Sequence, residues 1–140
     1  AVFLTGEIPR KHDEEKMTEE SFCSDSKGEI VDDIPDDQAL YMKTHSGTIV
    51  LLGCAHSGLI NTLDYIHELT NGKPFRAVIG GTHLRSASKK RIRWTLDELK
   101  RFEIGMIAPA HCTGIAATNA IMNAYPESFE NCETGSVFTF

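Results

Sequence analysis

No stretch of this sequence approaches the roughly 20 consecutive apolar residues that a membrane-spanning helix needs, and no charged segment followed by an apolar run opens it. The expectation is a soluble chain without a membrane partner. Cysteine is sparse: Cys23, Cys54, Cys112 and Cys132 stand far apart in 140 residues. This is unlike the dense framework of a small secreted domain and points to reduced thiols in a cytoplasm. Basic charge is in deficit, with 14 Lys and Arg against 20 Asp and Glu and a net charge of -6. General binding to nucleic acid needs clustered Lys and Arg to displace counterions, so no nucleic-acid partner is expected. One basic cluster, Lys89, Lys90, Arg91 and Arg93, reads as a solvated helix face. Three familiar loops are also missing. Neither a phosphate loop ending in Gly-Lys-Ser/Thr, nor the Gly-x-Gly-x-x-Gly dinucleotide fingerprint, nor a Gly-x-Ser-x-Gly nucleophile turn occurs. Among the chemistries considered, metal chemistry remains.

What is present suits one α/β domain over residues 1–140, with 41% hydrophobic residues to build its core. Residues 10–37 differ from the rest, carrying eleven acidic residues and almost no periodic apolar pattern. We expect an acidic loop or insertion over residues 11–37, and its length and position suggest a cover for a substrate entrance. From Gln38 the pattern becomes regular. Ala39 to Thr44 and Thr48 to Leu52 flank a tight turn and predict a hairpin, and the unbroken apolar run Ile49 to Leu52 predicts a central strand. Leu59, Leu63, Ile66 and Leu69 form one helical stripe, stopped at Asn71-Gly72. Phe75 to Ile79 reads as a second buried strand. Ser88 can cap a helix carrying Ile92, Leu96 and Leu99, Ile104 to Ala108 reads as a third strand, Ile115 to Ala124 as a helix, and Ser136 to Phe140 as a terminal strand. Strands separated by crossover helices imply a sheet with a strong parallel component.

Three histidines occupy equivalent places: His56 in Gly53-Cys54-Ala55-His56-Ser57-Gly58, His83 in Gly80-Gly81-Thr82-His83, and His111 in Pro109-Ala110-His111-Cys112-Thr113-Gly114. Each follows the carboxyl end of a predicted strand, where ligands of open α/β sheets gather. Three imidazoles on one rim suit a divalent metal, Zn first and Mn or Fe as alternatives. Ser57 and Thr113 are candidate substrate contacts beside it. Cys54 and Cys112 could be soft ligands, but small buried apolar residues is the simpler reading. His12, His45 and His67 read as surface residues.

These motifs, with Thr5-Gly6-Glu7-Ile8-Pro9-Arg10 and Asp36-Asp37-Gln38-Ala39-Leu40, resemble the C-terminal half of the metallo-β-lactamase superfamily. Within it they look most like the dihydropterin ribofuranosylaminobenzene-phosphate synthase branch and related metal-dependent hydrolases. The resemblance implies an αββα sandwich with a mixed sheet and crossover helices. His56 and His111 would be the family's later histidine ligands, and His83 stands where much of the superfamily has a bridging Asp. The family's first ligand motif, His-x-His-x-Asp-His, is absent, so the expectation is a partial domain. In the complete protein a metal-activated water would attack an ester or phosphoester of a small-molecule substrate. The alternative is a non-catalytic module that associates with itself, as a homo-oligomer through an exposed sheet face, or with a partner chain.

Overall fold

A computed structural model describes residues 1–16, 22–25 and 28–140. Its centre is the predicted hairpin, β4 (Ala39–Thr44) and β5 (Gly47–Leu52), paired antiparallel from Ala39↔Leu52 to Thr44↔Gly47. On one side β1 (Val2–Leu4) pairs antiparallel with β4. On the other, β6 (Phe75–Gly81) and β7 (Ile107–Ala110) add in parallel, giving the order β1-β4-β5-β6-β7. Strand β5 is central, as its continuous apolar run demands. The parallel pairs need crossovers, which α1 (Leu59–Leu69) and α2 (Lys89–Leu99) supply. Helix α3 (Ile115–Ala124) follows β7. The result is the mixed sheet with crossover helices that the pattern implied.

Helical spacing decides the core. Leu59, Leu63 and Ile66 of α1 are fully buried against Val50, Phe75 and Val78 of the sheet, and each such side chain contributes about 1.5–3 kcal/mol when removed from water. Ser88 caps α2 as expected, its side chain accepting from the Arg91 N–H at 3.1 Å. Among the described residues, no helix is long and apolar enough to cross a membrane.

Several expectations need correction. The acidic segment, expected as a loop or insertion, carries short elements of its own in its described part: Asp13–Glu15 form a 3-10 turn, and β2 (Phe22–Asp25) pairs antiparallel with β3 (Gly28–Val31). Positions 17–21, 26 and 27 of the expected loop and the side chain of Cys23 lie outside the described residues. No strand forms at Ser136 to Phe140, because the free edge of β7 is taken by residues 128–130. The Ile107 N–H donates to the Ser128 carbonyl at 2.8 Å, and the Glu130 N–H to that of Ile107 at 3.0 Å. The third strand starts late, at Ile107, though Ile104 keeps one bridge to Phe75.

Candidate metal centre

Strands β5, β6 and β7 end side by side, and each is followed by a sharp turn bearing one predicted histidine. The turns are strained. Ala55, His83 and His111 have φ of 56°, 51° and 50°, a left-handed conformation that non-glycine residues seldom adopt and that concentrates at functional sites. At Gly81 any side chain would collide with its neighbours, since a Cβ would lie 2.7 Å from the Cys112 Sγ and closer still to the Gly53 carbonyl. The third turn is fixed by hydroxyls: Thr113 donates to the Ala110 carbonyl at 2.8 Å and accepts from Thr82 at 3.0 Å.

The histidines fall into two groups. His56 and His83 stand ring to ring, centroids 4.4 Å apart, and line a cavity of about 300 Å³ with Glu15, Ser88 and Arg91. The His56 Nδ1 is buried with no hydrogen-bond partner, a cost that buried polar atoms rarely carry. His111 is exposed and turned to the cysteines, its Nε2 3.2 Å from the Cys54 Sγ. Cys54, His111 and Cys112 offer ligand atoms within 4.8 Å of one another, the one such set among the described residues. Burial, then the adjacent Cys112 and Asp37, push the Cys54 thiol above its ordinary value. Of the candidate substrate contacts, Ser57 is buried, its N–H donating to Asp37 at 2.8 Å. Thr113 is also buried, with its hydroxyl engaged as above.

No family model matches the chain. Over 99% of its length it is 31% identical to the 7,8-dihydropterin-6-methyl-4-(β-D-ribofuranosyl)-aminobenzene-5′-phosphate synthase of Methanocaldococcus jannaschii, covering 48% of that protein. An uncharacterised protein of the same organism is 32% identical over 83% of the chain, which covers 41% of it. The crystal structure of a metal-dependent hydrolase of the β-lactamase superfamily matches 96% of the chain with a TM-score of 0.83 and 25% identity, the chain covering 52% of it. The chain has the fold of that β-lactamase-superfamily hydrolase and is similar to the synthase over nearly its whole length. It spans about half the length of the curated relatives that it matches. A metal-dependent neighbour and a rim rich in imidazole and thiol agree on a divalent metal in general.

Two parts of this rim differ from the simpler sequence reading. One is the cysteine pair, read above as small apolar residues with soft ligation as the alternative: Cys54 lies two residues before His56 and Cys112 directly after His111. The other is Glu15, buried although it belongs to the acidic segment. The residue that precedes helix α1 is Gly58, which has no side chain to cap it, and Glu15 does so from a distance. Its carboxylate accepts the Ile60 N–H at 3.0 Å and the Asn61 N–H at 2.7 Å. Arg91 stands 3.7 Å away, so this member of the basic cluster is turned inward and is not part of a solvated face. Asn61 completes the latch, its side-chain oxygen accepting from the N–H groups of Lys11 and His12. His12, expected at the surface, is half-buried and bonded to Asp64 at 2.7 Å. His67 likewise rests against Phe75 and Phe102.

Proposed function

We propose that this chain contributes ligands to the divalent-metal centre of a hydrolase acting on an ester or phosphoester of a small molecule, with His56, His83 and His111 as ligands. The observation that carries this reading is the buried His56 Nδ1, without a hydrogen-bond partner and on a ring beside His83 at the cavity wall. A cation would satisfy that nitrogen, so the donors present suit the group. Zn is the first candidate for an imidazole set, with Mn or Fe as alternatives. Bound there, a divalent cation supplies Lewis acidity, polarising a substrate oxygen and lowering the pKa of water to about 7. The chain's own residues hold and orient. The strained turns fix the His83 and His111 backbones, Arg91 places positive charge at the cavity wall that an anionic ester would meet, and Glu14, Glu15 and Lys16 close the other side. The name of the synthase relative leaves group transfer on a pterin-type substrate as a second chemistry for the same rim.

Elemental analysis after dialysis tests the ligand set, and turnover of chromogenic esters and phosphoesters tests the chemistry. The expected result is bound metal that falls by about one equivalent in His56→Ala, His83→Ala and His111→Ala, with any turnover falling roughly 100-fold or more, beyond what losing an outer partner costs. Equal metal content in wild type and variants would remove these histidines from the ligand set.

A further inference from the structure

The exposed end of the rim carries donors that the histidine reading does not use. Cys54, His111 and Cys112 come from two different strand ends, β5 and β7, separated in the sheet by β6. Their ligand atoms nevertheless lie within 4.8 Å of one another, with 3.2 Å between the His111 Nε2 and the Cys54 Sγ. A tetrahedral Zn²⁺, with Zn–S near 2.3 Å and Zn–N near 2.0 Å, holds its ligand atoms about 3.3–3.8 Å apart. The set therefore needs little movement to close on an ion.

Three features prepare this closure. The His83 N–H points at the Cys112 Sγ at 3.3 Å, the kind of backbone donor that stabilises a metal-bound thiolate. The segment bearing His111 and Cys112 is clamped from outside: the Arg85 guanidinium donates to the His111 carbonyl at 3.1 Å and the Arg85 N–H to the Cys112 carbonyl at 3.1 Å. Gly81 leaves the space that the Cys112 sulfur occupies, because a Cβ there would sit 2.7 Å from it. Two cysteines acting only as small apolar fillers need neither the clamp nor an imidazole at hydrogen-bond distance.

We infer that Cys54, His111 and Cys112 form a thiolate–imidazole site for a thiophilic cation of the Zn²⁺ class, with a fourth position open to solvent or substrate. Two thiolates and one imidazole select Zn²⁺ over Mg²⁺ and Mn²⁺, which prefer oxygen ligands. His111 is the one residue shared with the proposed histidine set, so the rim has a hard-edged end at His56 and His83 and a soft end here.

The probe is Co²⁺, titrated into the reduced chain and read by absorption, because a bound thiolate adds an intense near-ultraviolet charge-transfer band that an all-histidine site lacks. The expected result is such a band at one equivalent of Co²⁺. It is abolished in Cys54→Ser and Cys112→Ser, with binding weakened by at least about 100-fold, more than an outer-shell loss causes. It is retained in Cys132→Ser and in the His56→Ala/His83→Ala double variant. A parallel measurement on the unmutated chain covers variants that fail to fold: Zn²⁺ should protect Cys54 and Cys112, but not Cys132, from alkylation mapped by mass spectrometry. Co²⁺ bound without the band, and lost in the double variant, overturns this site while supporting the histidine set. No Co²⁺ bound, or a band that follows Cys132, overturns it as well.

Discussion

At Glu15 two physical demands oppose each other. Burial pushes its carboxyl above its ordinary value near 4.5, while the N–H groups of Asn61 and Ile60, followed by Arg91 and His12, pull it back, leaving a net upward shift. The folded chain then keeps a proton that the unfolded chain releases, so this group's contribution to stability is greatest below the unfolded value. It declines as pH rises through the window between the two values. Glu15→Gln keeps an acceptor for the helix and removes the charge. Its unfolding free energy relative to wild type should therefore increase between about pH 4 and pH 7, measured by urea titration of both proteins. A wild type that gains on the variant over this range would show that the helix and Arg91 outweigh burial. Glu15→Ala leaves the Ile60 and Asn61 N–H groups buried without an acceptor and should cost on the order of 2–4 kcal/mol at neutral pH. Local sequence could not single out this residue. Glu14 beside it is exposed, and what distinguishes Glu15 is a pair of donors 45 and 46 positions away.

Elements were more legible than residues, because their signals are local. The hairpin turn at His45-Ser46-Gly47, the stripe of α1 and the Ser88 cap all lie within a few positions of what they specify, and strands and helices form where those signals stand. The terminal strand is absent because the segment around Phe129 occupies the β7 edge, and residue types alone do not decide between two candidates for one edge. Equivalent placement after three strands brought the histidines to one rim. It did not say which would be neighbours, since the turns, and not the strands, set where each ring lies. The space at the β6 terminus decides much of that. Gly81→Ala introduces a methyl group between the Gly53 carbonyl and the Cys112 sulfur. It should destabilise the chain by about 1–3 kcal/mol, the usual range for overpacking, and should also raise the reactivity of Cys112 towards a thiol reagent. Denaturation and timed alkylation measure the two effects, and an unchanged alkylation rate would mean that the third turn is positioned independently of β6.

Across the whole molecule the two sheet edges are treated differently. The β7 edge is covered by residues 128–130. At the opposite edge β1 is three residues long, and Val2, Phe3 and Leu4 are 61%, 37% and 63% exposed. Phe3 stacks on Tyr41 with Lys43 above both rings, which shields only part of its surface. An edge strand with no further strand beside it among the described residues, and with apolar side chains, invites pairing with another chain, and a net charge of -6 opposes that only by screened, long-range repulsion. Self-association of this chain should therefore strengthen as salt rises, the reverse of what ion pairing between copies would give. Size-exclusion chromatography with light scattering, run at low and high ionic strength, should show an apparent mass above that of the monomer that increases with salt and with protein concentration. Leu4→Lys, which puts a charge on the exposed edge, should return the chain to a monomer at either salt. A wild type that stays monomeric throughout would mean that the short, stacked β1 already protects its own edge. The apolar surface at Val2 and Leu4 would then have no role in association.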